Sequence, residues 1–309
     1  MIIKSFIKEG SGFFGQDIKS WTNEFNKVEK IVESAADAER DYLSPFFKRF
    51  FPLPPGKILE GGCGTGRYVI TYRKIGYDII GVDFSGETIR RIKKECGEDF
   101  AVYEANITAL PFEDNYFDCY YSGGVIEHFE AGPDMVLQEA HRVIKKGGIL
   151  LATVPYVNLI RRFYFTIFPA IKTNRILLKR VKGCQPETGV PKRYNFCEYY
   201  FDVNSLAHFF KRNGFLIEKT YPIDILYGEI GLLLQKFIKR NQNCRQTTPI
   251  NSASCKSNTI KTNNKRPLIK AWLYDFLITE NRNNIFYKLP LTFINYLSGH
   301  MILFVARAI

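Results

Sequence analysis

The stretch KILEGGCGTGRY (residues 57–68) passes from an apolar, strand-like segment through a glycine turn into a helical pattern. Glycines at such a turn let the backbone approach a ligand closely and can present free N–H groups at a helix N-terminus. Spacing narrows the ligand. A P-loop needs Lys and Ser/Thr after its last glycine, whereas Gly66 is followed by Arg67 and Tyr68. A dinucleotide fingerprint reads GxGxxG, whereas Gly62, Gly64 and Gly66 read GxGxG. The acid before the turn, Glu60, would repel a pyrophosphate and can hold an ammonium group.

Working outward, strand-like and helix-like segments alternate. Strands are predicted at 57–62, 77–83, 100–106, 117–124 and 149–155, with helices at 65–75, 85–96 and 134–146. The last helix is expected to end at Lys145, Lys146 and Gly147, cations and a glycine where dipole and cap favour them. Alternation of this kind predicts an α/β fold with a parallel sheet covered on both faces, its ligand beyond the carboxyl ends of the strands. At the second such end Asp83 can accept from ribose hydroxyls. An acid that holds an ammonium and an acid that holds a ribose suit S-adenosyl-L-methionine, whose sulfonium is also cationic.

These motifs resemble those of the class I S-adenosylmethionine-dependent methyltransferases, especially the small-molecule group called type 11. The likeness covers 56–155, with a weaker echo over 193–221. It implies a Rossmann-like, mostly parallel seven-stranded sheet with an antiparallel last strand, expected at 301–308, plus helical insertions. From LEGGCGTG it implies that Glu60, Gly61, Gly62, Cys63, Gly64 and Gly66 surround the methionine part of the cofactor. From GVDFS it implies that Asp83 binds the ribose and Phe84 packs on adenine. Asn106, with Ile107 beside it, stands where the family usually has Asp, and its carbonyl oxygen could accept from the adenine amino group. YSGGVIEHF resembles the fourth motif, which places Ser122 and Gly123 near the methionine moiety and His128 beside the transferred methyl group.

Methyl transfer from a sulfonium releases a neutral thioether, so the leaving group needs no acid. The acceptor must be aligned and often deprotonated. Histidine titrates near neutrality, and of four histidines only His128 follows the fourth motif, which makes it the candidate base or substrate contact. Glu127 reads as structural. SGGV replaces the Asn/Asp-Pro-Pro-aromatic motif of base N-methylation, and Cys119 lies inside a strand, so modification of nucleic acid is disfavoured. Seven cysteines without a CxxC pair predict neither a disulfide framework nor a metal site.

Charge divides the chain. Residues 1–155 carry 19 Lys and Arg against 23 Asp and Glu, whereas residues 156–309 carry 24 against 8. An anionic partner for the second half is therefore expected. Residues 156–182 are aromatic and basic, with Lys172, Arg175 and Lys179 at helical spacing, so this segment is expected to be either a lid or a helix lying peripherally on an anionic membrane. The expected organisation is a helical cap over 1–55, the cofactor core over 56–155, this insert over 156–200, and a core continuation over 201–225. A helical insertion follows over 226–300, with a flexible linker at 240–267, and the last core strand over 301–309. With no continuous apolar run at its start, the chain is expected in the cytoplasm, at most peripheral at the inner membrane face. The expected activity is O-methylation of a small-molecule, lipid-linked or saccharide intermediate. C-methylation of an isoprenoid or quinone-type acceptor, and cofactor binding without turnover, are the alternatives. Acceptor identity and oligomeric state are not legible.

Overall fold

The computed structural model describes residues 1–9, 18–36, 38–184, 190–223 and 300–309. The linker expected at 240–267, and nearly all of the insertion expected over 226–300, lie outside the described residues.

The first strand of the core, β2 (Lys57–Gly61), follows β1 (Ile2–Lys8) and three helices, α1 (Ile18–Phe25), α2 (Ile31–Ala35) and α3 (Ser44–Phe50). Then come α4 (Arg67–Lys74), β3 (Asp78–Asp83), α5 (Gly86–Cys96), β4 (Val102–Glu104), β5 (Phe117–Gly123), α6 (Asp134–Val143) and β6 (Ile144–Pro155). The chain continues through α7 (Leu159–Ile167), β7 (Ala170–Lys172), β8 (Ile176–Val181), β9 (Tyr194–Phe201), α8 (Val203–Arg212), β10 (Phe215–Ile223) and β11 (Met301–Ala308).

Seven strands form one sheet in the order β10-β11-β6-β5-β2-β3-β4. β2 is parallel to both β3 and β5, β4 is parallel to β3, and β6 is parallel to β5. β11 runs antiparallel between β6 and β10, as the resemblance implies. Alternation along the strands fills both faces. Ile58 and Ile79 join Val69, Ile89 and Phe47 on one side, while Leu59 and Val82 join Leu137, Phe210 and Phe304 on the other. α5, α7 and α8 begin where a side chain satisfies an early N–H group: Ser85 accepts from Thr88, Asn158 from Arg161 and Asp202 from Ser205.

Three expectations need correction. The segment 1–55 does not begin as a helix, because Ile2–Lys8 is a strand. α6 stops at Val143, and Lys145, Lys146 and Gly147 belong to β6 rather than to a helix end; Lys145 reaches Asp118 on β5 at 2.8 Å. Lys172, Arg175 and Lys179 do not share a helix face, since Lys172 and Lys179 lie on the paired strands β7 and β8 and Arg175 on the turn between them.

The first and third of these departures share a cause, a second sheet in the order β7-β8-β1-β9, antiparallel throughout. Its inner face (Ile2, Phe6, Phe196, Tyr199, Phe201) joins the core that packs against the large sheet. Lys4 is fully buried there, with its ammonium 2.8 Å from Glu130 and 5.1–5.6 Å from the rings of Phe6, Phe196 and Tyr199. Burial of a lysine requires such partners. Tyr199 also donates to the Glu130 carbonyl at 2.7 Å, so the second sheet is clamped to the loop after β5.

Candidate cofactor and methyl-transfer site

Strand order reverses its direction of growth between β2 and β5, and a ligand on such a sheet sits at that switch point. A cavity of ≈ 1380 Å³ lies there, larger than the 300–1,000 Å³ usual for one small ligand, which leaves room for a cofactor and an acceptor together.

Of the residues singled out from the sequence, Glu60, Gly62, Cys63, Gly64, Asp83, Phe84, Asn106, Ile107, Gly123 and His128 line this cavity together. Gly61, Gly66 and Ser122 do not. Gly61 lies within β2, where a side chain would meet the Tyr120 hydroxyl. Gly66 caps α4. Ser122 is buried in β5 with its Oγ unpaired.

The glycine turn supplies space more than donors. Gly62 and Cys63 N–H both donate to the Val82 carbonyl, at 2.8 and 2.9 Å, and Gly66 N–H donates to the Cys63 carbonyl at 2.9 Å. Gly64 N–H donates to Asp83 Oδ2 at 2.8 Å. Four N–H groups that the motif promised to a ligand are thus committed within the protein. What remains is shape: Gly62 and Gly64 sit at φ of +74° and +52°, where a side chain would strain the backbone. A Cβ on Gly62 would also come within 2.5 Å of Val125.

Glu60 is buried, and its Oε2 has no hydrogen-bond partner. Burial pushes its pKa up to about 8; nearby Asp83 adds to the rise and Arg67 opposes it. The Val69 N–H also opposes the rise, and the remaining oxygen, unpartnered beside the cavity, is what an ammonium group would complete. Asp83 is also raised by burial, against the N–H groups of Ser85, Gly64 and Phe84 that lower it. A carboxylate has about four acceptor sites, so the bonds from Gly64 and Ser85 leave capacity for ribose hydroxyls. Asn106 differs from expectation, because its Oδ1 accepts from both the N–H and the hydroxyl of Thr108, at 3.0 and 2.9 Å. The turn thus engages the oxygen expected to face adenine, so an adenine amino group would share it with Thr108; Glu104, two residues earlier, also lines the cavity.

His128 follows β5 in a 3-10 turn, and its Nδ1 lies 2.9 Å from the carbonyl oxygen of Cys197 on β9. A carbonyl only accepts, so Nδ1 carries the proton and Nε2 is the basic nitrogen. The ring meets Trp21 edge-on, with centroids 5.1 Å apart. Trp21 and Phe25 of α1 form a wall of the cavity that sequence reading missed. The only signal was a pair of aromatics at i and i+4 on a short amphipathic helix, which places them together without saying what they face. Among the described residues, Glu127, His128 and Glu198 have ligand-type atoms within 4.8 Å of one another. Burial pushes the Glu127 carboxyl well above its usual range, with nearby Glu198 adding to the effect.

A carboxyl that awaits an ammonium, an acid beside it with room for a ribose and an antiparallel seventh strand answer to one cofactor and one class. The fold is that of a class I S-adenosylmethionine-dependent methyltransferase, and the cofactor is S-adenosyl-L-methionine.

The sequence comparisons agree. The family model described as Methyltransferase domain (Methyltransf_11) matches residues 59–152. The chain is 28% identical over 127 residues to the malonyl-[acyl-carrier protein] O-methyltransferase of Hamiltonella defensa, covering 41% of this chain and 48% of that one. It is 33% identical over 120 residues to the ubiquinone/menaquinone biosynthesis C-methyltransferase UbiE of Allorhizobium ampelinum, covering 35% and 46%. The PH0226 protein of Pyrococcus horikoshii OT3 superposes with a TM-score of 0.48 at 18% identity, covering 65% of this chain and 93% of that one. The chain spans about half the length of these two curated relatives.

Proposed function

We propose that this protein transfers the methyl group of S-adenosyl-L-methionine to a hydroxyl oxygen of a small-molecule, lipid-linked or saccharide acceptor. The observation that carries the reading is the setting of His128: its Nδ1 lies 2.9 Å from the Cys197 carbonyl, which orients the ring on a residue that lines the cavity. When bound, the cofactor supplies a methyl group on a sulfonium. Glu60 and Asp83 hold its ammonium and ribose, and Trp21 and Phe25 exclude water from one side. His128 Nε2 would accept the proton that the acceptor hydroxyl gives up on taking the methyl group, while the sulfonium would depart as a neutral thioether still held by Glu60 and Asp83. A positioned base of this kind typically contributes 10²–10⁴-fold in rate.

The O-methyltransferase named above supports this reading by analogy. The C-methyltransferase favours a second, methylation of an activated carbon on a quinone-type acceptor, in which the same base would take a carbon-bound proton. One experiment separates them. The protein is incubated with carbon-13 methyl cofactor and fractionated cell extract, and release of S-adenosylhomocysteine is followed while the product is read by NMR. A methyl resonance on oxygen supports the proposal and one on carbon the second reading. Acceptor-dependent release that never exceeds the protein-free control would overturn both and leave a cofactor-binding protein without turnover.

A further inference from the structure

The insert after β6 buries one face of α7 and leaves an apolar one outside. Phe165 is 3% exposed and packs with Ile3 and Val157. Arg161 turns inward, donating to the Tyr156 carbonyl at 2.7 Å with its guanidinium 4.9 Å from the Tyr200 ring centre. On the other side Leu159, Phe163 and Ile167, four residues apart on one helix face, are 48%, 72% and 54% exposed, and Phe168 beside them is 53% exposed. A helix of a soluble domain ordinarily turns such a stripe toward the core, and contiguous apolar surface of this kind marks a contact site.

Its surroundings identify the contact. The hairpin β7–β8 leaves α7 directly, and Arg180 N–H donates to the Pro169 carbonyl at 2.8 Å, which ties β8 to the end of the apolar stripe. Between Leu159 and Lys182 the chain has seven cations and no acid. Arg162, Lys172, Arg175, Arg180 and Lys182 are all exposed.

We propose that α7 and the β7–β8 hairpin dock this protein on an anionic lipid surface, with Leu159, Phe163, Ile167 and Phe168 entering the interface and the hairpin cations lying among the headgroups. Aromatic and aliphatic side chains flanked by cations, on a helix too short to span, are the composition of an interfacial segment. A second copy of this chain fits the face poorly. A two-fold interface brings each patch onto itself and would set one cationic hairpin against another with no acid between them.

The docking face shares its sheet with the methyl-transfer site. β1 pairs with β8 on one side and β9 on the other, and β9 provides the Cys197 carbonyl that holds His128. A protein docked in this way would suit an amphiphilic acceptor drawn from the same leaflet; that consequence, unlike the docking itself, rests on the proposed methyl transfer.

The test is co-sedimentation of the full chain with vesicles of phosphatidylglycerol and phosphatidylcholine in equal parts, and with vesicles of phosphatidylcholine alone. One variant carries Phe163→Ser, Ile167→Ser and Phe168→Ser; another carries Lys172→Ser, Arg175→Ser and Arg180→Ser. All six positions are exposed, so both variants should fold and bind cofactor as the wild type does, which calorimetry with S-adenosylmethionine checks independently of docking and of turnover. The expected result is a partition into anionic vesicles at least tenfold above that into neutral ones, lowered at least tenfold in each variant. Salt should weaken it without abolishing it, because screening, with a Debye length of about 10 Å at 0.1 M and 3 Å at 1 M, leaves apolar insertion untouched. Equal recovery in the supernatant for all proteins and both lipids would overturn the proposal. So would vesicle binding unchanged by the three serines on α7, or a dimer that those serines dissociate in the absence of lipid affinity.

Discussion

The N–H of Gly64 donates to Oδ2 of Asp83 at 2.8 Å, which joins the glycine turn after β2 to the end of β3. The acid read from the sequence as a ribose ligand is also the strut that holds the turn's shape. Asp83→Ala should therefore do two kinds of damage. Loss of charge-assisted bonds to ribose should weaken S-adenosylmethionine binding by about 1.5–3 kcal/mol, roughly 10- to 150-fold. The unpaired Gly64 and Ser85 N–H groups should cost about 1–3 kcal/mol of stability each at most. Asp83→Asn keeps an acceptor for one of them and should recover part of the stability without the full affinity. Calorimetry and thermal melting read the two effects separately, and unchanged cofactor affinity in Asp83→Ala would remove it from the ribose site.

The buried carboxyl of Glu60 predicts a pH dependence. With its pKa pushed up to about 8, the cofactor-free protein holds Glu60 neutral at pH 7. Binding an ammonium requires the ionised form, so affinity should rise about tenfold per pH unit from 6 toward 8, with one proton released. Glu60→Gln should bind weakly and show no such slope. The same shift acts on folding. A pKa raised above its unfolded value means that the contribution to stability is complete below about pH 4.5 and is lost as pH rises through 8, a matter of a few kcal/mol. Denaturation of the cofactor-free protein at pH 5 and pH 8 should show this loss in the wild type and a smaller one in Glu60→Gln. Parallel profiles for the two proteins would mean that Glu60 is already ionised.

His128→Ala should lower turnover 10²- to 10⁴-fold while cofactor affinity changes little. His128→Gln can still donate to the Cys197 carbonyl but has no basic nitrogen, so it should restore any lost stability and none of the rate. A drop of less than about tenfold in either variant would place the base elsewhere.

At Gly62, backbone and space both exclude a side chain. Gly62→Ala should cost about 1–2 kcal/mol for its left-handed conformation and a further 1–3 kcal/mol for overpacking against Val125. Adding Val125→Ala should relieve the second cost and leave the first. Denaturant titration of the two single variants and the double variant gives the coupling, and strictly additive losses would mean that Val125 moves aside freely.

The central sheet and the cofactor side of the cavity were legible because their determinants are local. GxGxG at one turn, an acid before it and Asp83 at the next strand end occupy fixed places in a repeating strand–helix unit, whose period is written in consecutive residues. Glu60, Gly62, Gly64 and Asp83 meet for that reason alone. The outcome for Asn106 shows the limit of position without geometry: the residue lines the cavity, yet Thr108, two places along, engages its oxygen.

The second sheet had no such signature. In IIKSFIK the apolar residues at 2, 3, 6 and 7 fit a helix as well as a strand, and only pairing with β8 and β9, far along the chain, decides between them. The basic run at 172–182 likewise carries helical spacing, but the edge of β1 offers its backbone a ladder of hydrogen bonds that an isolated helix of that length cannot match. The local sequence determined the fold and the cofactor, because repeating units and turn chemistry are properties of neighbouring residues. Which nitrogen of His128 is basic, which aromatics wall the cavity and which face of α7 stays outside were decided only by tertiary structure, because each depends on strands and helices remote in sequence coming into contact.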